Sequence, residues 1–167
     1  RGLGDVYKRQ VQSYNEKNAF KETAGGYGSG YCYIDGLAFD KNGNLWMTSS
    51  EVNHAVLVLD KAGAWHRLDI EQLRGVYTIN DILITSTNDK WIYVPRNTPK
   101  LVMIPNSESL DEVSSYEFTT LIDTDGKELT PSNYTCVAED KDGYIWVGTN
   151  RGAVYFTKPR ISSAEDK

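Results

Sequence analysis

Residues 134–156 read YTCVAEDKDGYIWVGTNRGAVYF. Three short runs rich in aromatic and β-branched residues, YTCVAED, IWVGT and AVYF, are separated by turn residues at Asp142-Gly143 and at Asn150 to Gly152. Such side chains pack well on a pleated surface, so the pattern predicts consecutive strands joined by tight turns. An Asp-Gly pair between strands predicts a type I′ hairpin, with positive φ at both central residues.

The stretch has two relatives in the same chain. Trp146 aligns with Trp91 of ITSTNDKWIYVP and with Trp46 of FDKNGNLWMTSS, at spacings of 55 and 45 residues. Six positions before each Trp stand Asp40, Thr85 and Asp140, and three before stand Gly43, Asn88 and Gly143. One position after stand Met47, Ile92 and Val147. The middle copy keeps the apolar positions and loses the turn residues. A unit of about 40–50 residues made of four short strands is the repeat of a propeller blade. The expected fold class is therefore all-β: a partial β-propeller of about three four-stranded antiparallel blades, the third incomplete, as a fragment of a larger ring. Blade faces are buried by neighbouring blades, so three blades alone leave two raw faces.

The first blade is placed at residues 31–74, with strands in YIDGLAFD, LWMTSS, AVLVLD and WHRLDI. The second, residues 75–122, offers INDILITS, WIYVP, LVMIP and YEFTTL, and NSESLDEVSS (Asn106 to Ser115) is its expected insertion. The third, residues 123–158, lacks a fourth-strand pattern, and 159–167 form a tail. Residues 11–30 read as a connector or the remnant of a preceding blade. The opening RGLGDVYKRQ (residues 1–10) fits nothing downstream and resembles translated adapter read-through.

Composition excludes several functions. The net charge of −5 gives no basic face for nucleic-acid phosphates. No run approaches the roughly 18 apolar residues of a membrane span. Cys32 and Cys136 have no metal-ligand spacing and read as buried free thiols, with a disulfide as the alternative. No cofactor is expected. GGYGSG (Gly25 to Gly30) lacks phosphate-loop spacing and reads as a linker. DTDGKE (Asp123 to Glu128) lacks the later ligands of a calcium loop and reads as a turn at Asp125-Gly126. His54 and His66 have no metal-site partner pattern, and no nucleophile motif appears, so no catalytic or metal residue is assigned. Trp46, Trp91 and Trp146 occupy one place in every repeat and are expected to pack between blades rather than stack on sugars. Asp40 and Asp140 are expected to be turn residues, not catalytic carboxylates.

The third blade resembles the two-component regulator propeller repeat. Asp140 to Gly152 match its D-x-x-G-x-[IL]-W-[VI]-G-T-x-x-G signature throughout, including Gly148, Thr149 and Gly152, whereas GLAFDKNGNLWMTSS keeps only the front half. The two blades together, with a degenerate middle one, look similar to the PorZ-like propeller proteins of type IX secretion in Bacteroidetes. The resemblance covers roughly Ile34 to Phe156. It implies a non-catalytic binding or scaffold module, periplasmic or at the cell surface. Its partners would be a glycan, lipopolysaccharide or other secretion-system proteins. A glycan-sensing propeller of a hybrid two-component regulator and a fragment of a propeller lyase or glycosidase stay open as alternatives.

Up-and-down topology puts the loops between second and third strands on the same end as the blade-to-blade connections. Those loops are SSEVNH, PRNTPK and NRG. They carry Asn53, His54, Arg96, Asn97, Lys100, Asn150 and Arg151, a basic set in an acidic chain that would suit a glycan or anionic partner.

Overall fold

The computed structural model describes residues 11–25 and 30–156. The expectations for residues 1–10, for 26–29 within the glycine-rich stretch and for the 159–167 tail lie outside the described residues. β1 (Ile34–Phe39), β2 (Leu45–Ser49), β3 (Val56–Leu59) and β4 (Trp65–Leu68) form an antiparallel sheet, each strand paired with the next. β5 (Ile82–Ile84), β6 (Lys90–Val94), β7 (Lys100–Ile104) and β8 (Tyr116–Phe118) repeat that order. A small ribbon, β9 (Leu121–Ile122) with β10 (Glu128–Leu129), precedes a three-stranded sheet of β11 (Tyr134–Glu139), β12 (Ile145–Thr149) and β13 (Gly152–Phe156). The sheets do not close into a ring. The fold is all-β and is that of a partial propeller.

One turn is used five times. Asp40 Oδ1 accepts the backbone N–H groups of Asn42 and Asn44 at 2.9 and 2.8 Å. Asp60, Asp123 and Asp140 do the same for the residues two and four ahead, and the Thr85 hydroxyl does so for Thr87 and Asp89. Positive φ is confined to the residue three ahead: Gly43, Gly63, Asn88, Gly126 and Gly143. This corrects the expected type I′ hairpins, because Asn42 and Asp142 do not share the positive φ. Each is instead a side-chain-closed turn ending in one left-handed residue. It also explains the middle repeat. Thr85 supplies the acceptor and Asn88 tolerates the left-handed region, so the turn survives without its Asp and Gly.

Three turn aspartates reach further. Asp40 Oδ2 accepts the Trp46 indole N–H at 2.9 Å, and Asp140 Oδ2 accepts that of Trp146 at 2.8 Å. Asp60 Oδ2 meets His66 Nε2 at the same six-residue offset, 3.0 Å. The indoles then face the next sheet. Trp46 packs with Ile92, Val94, Val102 and Ile104 of the second sheet, and the buried Lys90 ammonium sits 4.4 Å from its ring centroid. Trp91 packs toward the third sheet with Phe156, Ile145 and Val147. Their exposures are 2% and 1%; Trp146, with no sheet beyond it among the described residues, is 41% exposed and stacks on Tyr155. Burying an aromatic side chain contributes about 2 kcal/mol or more, so each seam rests heavily on its indole.

On the opposite face of the first sheet, a helical turn (Glu16–Phe20) lays Ala19 and Phe20 over Met47 and Leu57. Tyr14 and Phe20 meet the Trp65 ring edge-on at 5.2 and 5.5 Å. Leu37 and Phe39 on β1 stay exposed.

Two further expectations are corrected. The extra ten residues between Trp91 and Trp146 are not one insertion. By strand register, five lie between β7 and β8, and five in the connection that carries the β9–β10 ribbon. Both cysteines are free, but Cys32 is only half-buried and Cys136 is exposed on β11.

Candidate ligand-binding face

The loops after β2, β6 and β12 sit at one end of the molecule and are knitted to the blade connections. Glu51 N donates to Val76 O at 2.8 Å and Gly75 N to Val52 O at 2.9 Å. Tyr134 N donates to Pro95 O at 3.0 Å, and Asn150 N to Asn133 O at 3.1 Å. The turns closed by Asp40, Asp60, Thr85 and Asp140, which join first to second or third to fourth strands, lie at the other end. Topology therefore gathers the seven sequence-predicted residues on one end, but their side chains differ in what they are free to do.

Three are occupied. His54 Nδ1 contacts Glu22 Oε1, while Glu22 Oε2 accepts the backbone N–H groups of Asn53 and His54. Burial alone would raise the Glu22 carboxyl, but these hydrogen bonds outweigh it and hold it below the ordinary range. Lys100 Nζ bonds Glu117 Oε1 and Gln72 O, both at 3.1 Å. Asn150 Oδ1 accepts the N–H groups of Ser132 and Asn133. The side chains of Asn53, Arg96, Asn97 and Arg151 are exposed and, among the described residues, make no hydrogen bond or ion pair. Asn97 stands at a loop tip with φ 71°. Of the seven, Arg96 and Arg151 are thus the cations left unpaired and exposed among the described residues, on backbones held by the scaffold.

The calcium-like stretch is a turn, with Asp123 Oδ1 taken by Asp125 N and Lys127 N. Among the described residues no three His, Cys, Asp or Glu side chains are placed to hold a metal ion, and no helix is long and apolar enough to cross a membrane.

One cleft lies outside the residues singled out from the sequence. Where β1 converges on the lead-in to β5, a cleft of about 360 Å³ is lined by Ile34, Asp35, Gly36, Leu37, Asn80, Asp81 and Tyr93. Asp35, Asn80 and Thr135 each stand eleven residues before a blade Trp. That shared polar offset was the available signal.

Residues 128–151 match the family model described as "Two component regulator propeller". No curated protein matches the sequence. Among solved structures, PorZ, described as an essential bacterial surface component of the type-IX secretion system of Porphyromonas gingivalis, is similar at a TM-score of 0.72 and 19% identity. That likeness covers 82% of this chain and 20% of PorZ. A catalytically inactive virginiamycin B lyase from Staphylococcus aureus, solved with quinupristin, is similar at 0.53 and 16% identity, over 77% of this chain and 42% of the lyase. The extracellular domain described as that of a hybrid two component system from B. thetaiotaomicron follows at 0.47 and 16%, over 89% and 24%. The chain thus spans a fifth of the PorZ chain and under half of the lyase. It is a β-propeller segment, similar to PorZ in fold, whose residues 128–151 match the two component regulator propeller model.

Proposed function

We propose that this chain is a non-catalytic binding or scaffold module of a periplasmic or cell-surface protein, PorZ-like in its role in secretion and cargo attachment. Its loop end would take a glycan, a lipopolysaccharide or an acidic partner protein. The supporting observation is the pair of exposed arginines, Arg96 and Arg151, on scaffold-held loops of a fold similar to PorZ. Guanidinium groups suit phosphate and carboxylate by bidentate hydrogen bonding. A second reading, the glycan-sensing propeller of a two-component regulator, draws on the repeat match at residues 128–151. A third, a propeller lyase, draws on the weaker lyase likeness.

The test is Arg96→Ala with Arg151→Ala in the full-length protein, measured by calorimetry against an acidic lipopolysaccharide. Affinity should fall about tenfold or more. Lys100→Ala should change stability more than binding, because its ammonium is already paired. Unchanged affinity in the double variant would remove the loop end from the reading.

A further inference from the structure

Each seam joins a knob to a well. The knob is the blade indole. The well is built on the next sheet, from the residues just before and just after its Trp and from their cross-strand partners. In the second sheet these are Ile92 with Val102 and Lys90 with Ile104. In the third they are Val147 with Val154 and Ile145 with Phe156. Strand register puts Met47 with Leu57, and Leu45 with Leu59, at the same positions of the first sheet. The first sheet therefore carries a third well, on the face away from Trp46.

Among the described residues no blade indole fills it. Ala19 and Phe20 of the helical turn lie there instead, buried against Met47 and Leu57. The turn is short, five residues capped by the Asn15 side chain. It covers only part of the face. Leu37 pairs with Met47 and Phe39 with Leu45, and directly opposed residues share a face. Both are bare, at 60% and 68% exposed. Their counterparts in the second sheet, Ile82 and Ile84, are packed in the first seam.

The knob without a well is Trp146. Asp140 holds its indole N–H as Asp40 holds that of Trp46, so the ring is already set as at a closed seam. Tyr155 stacks on it, and Tyr144 meets Tyr155 edge-on at 5.5 Å. The first and last sheets of one chain thus bear the two halves of an unmade seam. Complementary patches of this kind associate head to tail, and the contact closes when the rotation allows it. Two copies of three sheets make six, within the four to eight of closed propeller rings.

We propose that the Trp146 face docks on the first sheet of a second copy of this chain, over Leu37 and Phe39 and into the well that Phe20 occupies. The seams inside the chain show what covers an indole of this repeat, and the first sheet holds the remaining copy of that pattern among the described residues. The helical turn guards it, because Phe20 competes with the incoming indole. The surface does not involve the loop arginines, so the two readings fail separately.

Sedimentation equilibrium of the 167-residue chain over rising concentration tests this, with circular dichroism confirming each fold. Phe20→Ala empties the well and should tighten self-association about tenfold or more over wild type. Asn15→Ala uncaps the turn without touching the sheet; it should act in the same direction, and it decides if Phe20→Ala loses its fold. In the unguarded background, Trp146→Ala and Phe39→Asp should each weaken association about tenfold or more. Mixed together, these two variants supply one intact well and one intact knob, so a mixed dimer should form where neither variant pairs with itself. Contact between two Trp146 faces would ignore Phe39 and would not be rescued by mixing. The proposal is overturned if the unguarded variants stay monomeric at every concentration, if either Trp146→Ala or Phe39→Asp leaves association unchanged, or if the mixture does not associate.

Discussion

Asp40→Ala and Asp140→Ala delete the same carboxylate from the same turn, yet they should differ sharply in cost. Asp40 accepts four hydrogen bonds: two backbone N–H groups, the Asn44 amide and the Trp46 indole, all at 2.8–2.9 Å. After truncation the turn amides can reach water, but the indole is 2% exposed and cannot. An orphaned buried donor costs about 1–3 kcal/mol. Lys90 adds to this, because Asp40 and Asp89 are the charges that oppose its desolvation, and its ammonium stays over the Trp46 ring. Stripping one counter-charge from a buried cation brings the expected total to about 3 kcal/mol. At Asp140 the equivalent indole is 41% exposed, so water replaces the carboxylate and the loss should be much smaller. Urea unfolding followed by far-ultraviolet circular dichroism, at fixed salt and pH 7, measures both. Equal losses, or an Asp40→Ala loss below about 1 kcal/mol, would refute the claim that the seam, and not the turn, sets the value of this aspartate.

The same groups set an acid limb. Burial would raise the Asp40 carboxyl, but hydrogen bonds from Trp46 and Asn44 outweigh it, and at Asp140 the Trp146 bond leads the lowering. A depressed folded value means stability that is present above the ordinary carboxylate range and lost as pH falls through the depressed values. The urea midpoint should therefore drop on acidification, and Asp40→Ala should flatten that drop. Tyr134 is fully buried, its hydroxyl has no partner among the described residues, and burial raises its pKa. Tyr134→Phe should be neutral or stabilising by about 1 kcal/mol in the same assay, and a loss above that would show the hydroxyl has a partner. Gly36→Ala should destabilise by about 2 kcal/mol, since its Cβ would press on the Asp81–Ile82 backbone; an unchanged midpoint would mean that β1 and β5 can slide apart.

The blade register was legible because Trp46, Trp91 and Trp146 recur with apolar neighbours at fixed offsets, and period and alternation are local properties of a chain. The turn type was less so. Asn-Gly and Asp-Gly suggest positive φ at both residues, whereas the acceptor two positions earlier had already closed the backbone around a single left-handed site. The loop end could be located from topology, yet the ion pair that occupies Lys100 depends on β7 lying beside β8, and Glu117 is 17 residues away in sequence. Asp35 and Asp81 are harder still. Their proximity depends on a bulge that lifts Asp35 out of the β1–β2 ladder and on one absent Cβ, that of Gly36, at a seam between sheets, and neither has a periodic signature.

The indoles also have a spectroscopic consequence. Each seam hides one Trp behind the following sheet, while Trp65 reports separately on the docking of Tyr14 and Phe20. Opening one seam wets its own indole and leaves that of the other seam dry. Red-shifted emission from single-Trp variants would then read the molecule seam by seam, so the chain carries its own gauges for partial opening.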